Sequence, residues 1–284
     1  MGQHYVPKFY LRGFARGDRF FVFDKKLRKW FQSQPKSVAN EINLWPDELE
    51  VYVTKNIEEP AKNVIEKLRN KLLVNEEERY ALARYIAFLW KRVPAGRERV
   101  RCHTPLVAES VRQELHATLD AIASEDDTKA ELVGRRRGEI DAYIEKIKLE
   151  RPAWLWHSSL TVDSGLDLGR GIVEMNWRVL HTDEPRYLAS DNPVFFFEAD
   201  GVGNATSELT LALSSTAALV GTHPNQNLPL HCVATESAVR EINRRTSSNT
   251  SRYVFSEHVE PWMQTFLLKG HHVLTRRAFH NFIC

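Results

Sequence analysis

The 284-residue sequence predicts an α+β fold: a mainly antiparallel sheet built from both ends of the chain, with a helical bundle inserted between. Three observations carry this. Residues 1–56 are rich in aromatic and β-branched runs and read as an N-terminal β segment completing the sheet. Residues 57–160 carry apolar side chains at helical spacing and read as the bundle. Residues 161–284 return to short apolar runs broken by Pro and Asn and read as a β-rich part carrying the stretch SDNP.

The elements follow in order. "RFFVFDKKLRKWFQ" reads as a hairpin turning at Asp24-Lys25-Lys26. "NIEEPAKNVIEKLRNKLL" places Ile57, Ala61, Val64, Ile65, Leu68 and Leu72 on one helical face. "EEERYALARYIAFLWKRV" repeats that pattern, with acidic residues at its start, Lys91-Arg92 at its end and Pro94 as its stop. A third helix carries Val107, Val111, Leu115, Leu119 and Ile122; a fourth carries Leu132, Ile140, Tyr143, Ile144 and Ile147. After Gly169, "GIVEMNWRVLHTDEPRYLASDNPVFFF" reads as three strands separated by an Asp-Glu-Pro turn and an Asp-Asn-Pro break. "LTLALSSTAALVGTHP" adds two strands, Thr235 caps a late helix, and "SRYVFSE" is a strand. With both ends in the sheet, Gln3-His4 is expected beside the C-terminal half.

Composition excludes several classes. The apolar and charged fractions, 43% and 27%, are those of a globular protein, and a net charge of +2 does not announce a nucleic-acid binder. Cys102, Cys232 and Cys284 show neither a disulfide framework nor zinc spacing, and His271-His272 add no metal signature. The start lacks a signal-like apolar core and no run approaches a membrane span, so a cytoplasmic protein without membrane partners is expected. HExxH, GxSxG and GxxxxGK[ST] are absent.

Four stretches can carry chemistry. His4 opens an apolar segment with Tyr5, Val6 and Phe9, so its imidazole is held and needs a partner. In "YLASDNPVFFF", Ser190-Asp191-Asn192 is either a turn or a strand end delivering a carboxylate and an amide to a cleft. In "FLWKRVPAGRERVR", Arg92 and Arg97 form either a solvated helix end or an oxyanion clamp. "NIEEPAKN" sets Glu58 and Glu59 at a helix start, where the dipole alone favours them or where a carboxylate faces the same cleft. The expected pairing is His4 with Asp191 or Asn192, directly or through one water.

These stretches, in this order, together with "QHYVPKFYLRGFA" and "AVREINRRTSSNTSRYVFS", resemble the bacterial family of domains of unknown function 4238 over nearly the whole chain. The residues on its motifs are Gln3, His4, Pro7, Arg12, Glu59, Arg92, Arg97, Ser190, Asp191, Asn192, Pro193 and Asn243. The family transfers no settled activity. This polar set points toward an enzyme: a hydrolase or transferase on a phosphate-bearing substrate, in particular a nuclease-like phosphodiesterase, with nucleic acid or nucleotide as partner. His4, Asp191 and Glu59 are the catalytic candidates. Gln3, Arg92, Arg97, Asn192 and Asn243 are the substrate-binding ones. Magnesium is the candidate cofactor, since carboxylate-bound magnesium leaves little trace in sequence. The rival expectation is a non-catalytic ligand- or nucleic-acid-binding module of a bacterial defence or toxin system.

Overall fold

The computed structural model describes residues 2–161, 166–196, 201–223 and 229–269, with Asp127, Leu166 and Asp167 described by backbone alone. His271, His272 and Cys284 lie outside the described residues.

The chain is α+β. The short strand β1 (Gln3–His4) is followed by α1 (Lys8–Leu11) and by the hairpin β2 (Phe20–Asp24) and β3 (Lys29–Ser33). The hairpin turn forms because the Asp24 carboxylate accepts from the amides of Lys26 and Leu27, at 2.9 and 3.0 Å, and Arg28 adopts a left-handed φ of 54°. Strand β4 (Asn40–Glu41), helices α2 (Asp47–Val53), α3 (Glu59–Arg69) and α4 (Glu76–Arg92) come next. A capping box, Asn75 with Glu78, starts α4. Then follow α5 (Pro94–Glu125), α6 (Ala130–Glu150), α7 (Ala153–Ser159) and α8 (Leu166–Glu174). The remainder is β5 (Asn176–His181), β6 (Ala189–Ser190), β7 (Phe195–Phe196), β8 (Glu208–Ser214), β9 (Ala217–Thr222), β10 (His231–Val233), α9 (Glu236–Asn249), β11 (Tyr253–Ser256) and α10 (Pro261–Leu268).

Among the described residues the strands form two sheets and a separate pair. One sheet has the order β10-β5-β9-β8-β7, with β10 parallel to β5 and the other neighbours antiparallel. The other, antiparallel throughout, has the order β3-β2-β11-β6, so the N-terminal hairpin and the late strand β11 share a sheet as expected. Strand β1 departs from expectation. It pairs with β4, antiparallel, rather than with any strand of the C-terminal half. "GIVEM" departs too: Gly171–Glu174 close α8, and the strand starts only at Asn176.

By contact, the described chain separates into two compact units, residues 96–161 and the rest. The helices α3 and α4, expected with the bundle, lie in the larger unit, where α3 packs on α4 and α4 on α8. Val6, Tyr10, Leu11 and Phe14 are fully buried in that unit. The Tyr10 hydroxyl donates to the Ala212 carbonyl of β8 at 2.8 Å. Gly13 permits this approach: a Cβ there would sit 2.8 Å from the Leu213 carbonyl oxygen, and Gly13 itself accepts from the Ser215 amide at 2.9 Å. Among the described residues no helix is long and apolar enough to cross a membrane.

Candidate functional site

The polar motif residues fall into two groups. The first gathers around Arg92, the last residue of α4, whose side chain is only 1% exposed. Its guanidinium lies between the rings of Trp45 and Phe88, 4.9 Å from each centroid. One terminal nitrogen donates to Glu58 and the other to the backbone carbonyl of His4. Gln3 does not reach toward a cleft. Its amide donates to the Trp45 carbonyl at 2.9 Å and accepts from the Trp45 amide at 3.0 Å, which fixes the ring beneath Arg92. Trp45 in turn donates from Nε1 to Glu50 at 2.5 Å.

The carboxylate in this group is Glu58, not Glu59. Pro60 has no amide hydrogen, so the chain cannot make the usual i→i−4 bond to the Asn56 carbonyl. A π turn over Thr54–Glu58 forms instead, closed by the Glu59 amide on the Thr54 carbonyl. The turn directs Glu58 to Arg92 and leaves the Glu59 side chain exposed. Tyr85 completes the group from α4, seven residues before Arg92 and so on the same helical face.

Three buried polar atoms in this group have no hydrogen-bond partner among the described residues: His4 Nδ1, Tyr85 Oη and Arg92 Nε. The half-buried imidazole is held below its ordinary pKa, first by burial, then by the charges of Lys8 and Arg92, so it is neutral at pH 7. Burial raises the Tyr85 hydroxyl well above its ordinary value, and Glu58 adds to this, so it stays a donor. Magnesium does not suit the donor set. The Glu58 carboxylate is already bonded to Arg92, and no three His, Cys, Asp or Glu side chains converge among the described residues.

The second group is a set of backbone staples. Asp191 accepts from the amides of Ser251 at 2.9 Å, Arg252 at 2.7 Å and Tyr253 at 3.0 Å. Burial raises its pKa; those three amides oppose the rise. The Asn192 side chain donates to the Asn249 carbonyl at 3.0 Å, and Asn249 returns bonds to the carbonyls of Asn192 and Val194, each at 2.8 Å. Asn243 on α9 accepts from the Leu188 amide at 3.0 Å and donates to the Arg186 carbonyl at 2.8 Å. These bonds pin α9 to the segment around β6.

Among the described residues no hydrogen bond joins His4 directly to Asp191 or Asn192. Among the described residues, Asp191 bonds to backbone amides and Asn192 to carbonyls. Instead Tyr5 is the residue coupled to Asp191, whose charge helps raise its phenolic pKa beyond the effect of burial. The charge of Arg92 acts on the His4 imidazole and that of Asp191 on the Tyr5 hydroxyl. Arg97 is exposed, belongs to the 96–161 unit and lies 5.6 Å from the Trp156 ring centroid. Of the two glutamates before Pro60 the site candidate was Glu59, not Glu58, and Trp45 and Tyr85 were not among the site candidates. Tyr85 was legible only as a core residue; its spacing to Arg92 was the available signal.

No curated protein and no solved structure matches the chain. The model of the family described as "Protein of unknown function (DUF4238)" matches residues 2–259, which span both polar groups. The chain belongs to that family.

Proposed function

We propose that the chain is a hydrolase or transferase acting on a phosphate-bearing substrate, a phosphodiester of a nucleic acid or nucleotide, at the His4–Glu58–Tyr85–Arg92 cluster. One observation carries this reading: the half-buried His4 imidazole has an enclosed Nδ1 with no hydrogen-bond partner among the described residues, and the charges of Lys8 and Arg92 act on it more strongly than the Val38 backbone bond and Glu58 that oppose them. A buried polar atom left unpaired costs about 1–3 kcal/mol, a cost a substrate can remove. A neutral histidine accepts a proton, so His4 is the general base. The protonated Tyr85 hydroxyl donates to an oxygen of the reacting group. Arg92 contributes as a fixed charge, because both its terminal nitrogens are engaged.

The same engagement of Arg92, with Asp191, Asn192 and Asn243 spent on backbone, favours a second reading: a module that binds such a ligand without converting it. One experiment separates the two. The purified chain is incubated with RNA, DNA and nucleotides, with magnesium or with EDTA, and products are followed. The enzyme reading expects turnover that survives EDTA, is lost in His4→Ala, persists in Glu59→Gln, and rises with pH through a value below 6.5, the ordinary histidine pKa. Retained binding with no product supports the module. Turnover unchanged in His4→Ala sinks the enzyme reading.

A further inference from the structure

The buried Arg178 of β5 has no counter-charge among the described residues. It is 2% exposed, and within the described chain its guanidinium makes neither an ion pair nor a hydrogen bond; its Nε is enclosed without a partner. An arginine does not shed its proton inside a protein, and an uncompensated buried charge is strongly destabilising. A group left in that state calls for an ion or a ligand. The strand register shows what stands beside it, because residues directly opposite in an antiparallel ladder share a face. Arg178 stands opposite Val220, Val220 opposite Thr210, and Thr210 opposite Phe195. Thr222, two residues from Val220 on β9, stands opposite Glu208 on that same face. Thr210 and Thr222 are each 2% exposed, and neither hydroxyl forms a hydrogen bond among the described residues. Helix α9 covers the β7–β8 side of the face: Arg245 bonds Glu208 at 2.5 Å and lies 5.2 Å from the Phe195 ring centroid. The charges there close among themselves. Glu241 accepts from Arg245 at 3.0 Å and from Arg244 at 2.8 Å, so two arginines meet two glutamates and that set leaves no acid for Arg178.

We propose that this face of the sheet binds a small tetrahedral oxyanion, phosphate, with the Arg178 guanidinium as a bidentate donor and the Thr210 and Thr222 hydroxyls as further donors. The unmet charge sets the sign of the ligand. Burial sets its size: three residues each 2% exposed enclose a compact anion and leave no room for a nucleic-acid strand. The donors set its shape. A guanidinium fork engages two oxygens, and a carboxylate has only those two. Hydroxyls arriving from β8 and β9 call for further oxygens, which a tetrahedral anion has. The site shares no residue with the His4–Glu58–Tyr85–Arg92 cluster and does not rest on the activity proposed there.

The test reads melting temperature and calorimetric binding on the full chain, purified without phosphate or sulfate. Inorganic phosphate at millimolar concentration is expected to raise the wild-type melting temperature by at least about 2 °C, and acetate at equal ionic strength is not. Arg178→Met removes a charge that the free chain leaves unmet. Without phosphate it therefore melts no lower than wild type, and it loses the phosphate shift. Thr222→Val, close in volume, keeps the fold and weakens phosphate binding about fivefold, the worth of one hydrogen bond. His4→Ala keeps the shift, which separates this site from the cluster around Arg92. Four results overturn the proposal. They are no phosphate shift in the wild-type chain, an equal shift with acetate, a shift lost in His4→Ala but kept in Arg178→Met, and an Arg178→Met chain that melts well below wild type without phosphate. The last would mean that the guanidinium is compensated within the chain.

Discussion

At the scale of residues, the most consequential groups are charges whose partners are fixed. Glu58→Gln leaves the Arg92 guanidinium buried without its counter-charge, and breaking a buried pair on one side costs about 3–5 kcal/mol. A fall in the urea midpoint with unchanged slope is the expected result. Arg92→Lys keeps the charge but cannot reach both Glu58 and the His4 carbonyl, so it too is expected to destabilise. If Glu58→Gln unfolds at the wild-type midpoint, the cluster is not built as described. Asp191→Asn makes a separate prediction. An amide group placed where a carboxylate oxygen now accepts sets a donor against the Arg252 and Tyr253 amides or the Ser251 amide. The expected loss is about 1–3 kcal/mol, read the same way.

At the scale of elements, Pro60 decides which glutamate faces Arg92. Pro60→Ala restores an amide hydrogen and lets the π turn relax toward α-helix, which rotates Glu58 off Arg92. Destabilisation is expected although alanine is the better helix former. The Pro60→Ala and Glu58→Gln effects should also fail to add in the double variant, since both remove one ion pair. Additive effects would detach the turn from the pair. The N-terminal segment is the other decisive element. Deleting residues 1–14 removes four fully buried apolar side chains and the Gln3 clasp on Trp45. At about 2–5 kcal/mol per buried large side chain, the truncated chain is expected to lose its cooperative melting transition. An unchanged melting curve would show that the segment is not part of the core.

At the scale of the whole molecule, acid sensitivity follows from buried histidines. His231 Nε2 donates to the Leu72 carbonyl at 3.0 Å, so its Nδ1 accepts from His181 Nε2, also at 3.0 Å. Burial, then the neighbouring His231, lower the His181 pKa to about 4. His4 is lowered as well. Below the ordinary value of 6.5 the unfolded chain takes up protons that these folded sites refuse, so stability falls as pH drops from 6.5 toward 4. Denaturation midpoints across that window should decline, with a shallower decline in His181→Leu whatever its stability at neutral pH. An identical slope in the variant would remove His181 from the account.

Patterns set by near neighbours were legible in the sequence by itself: the α+β class, the β2–β3 hairpin, α4 with its acidic start and basic end, the Thr235 cap of α9, and the motif residues that mark the family. Spacing along one element encodes these. Only the tertiary structure decided the partners. It joined the N-terminal hairpin to β11 and paired β1 with β4. It chose Glu58 over Glu59 through a π turn, spent Asp191 on three amides some sixty residues away, and left Val107, Val111, Leu115 and Ile122 of α5 exposed. The physical reason is that a polar side chain announces its need for a partner, but which group meets that need depends on chain segments brought together only when the apolar core closes.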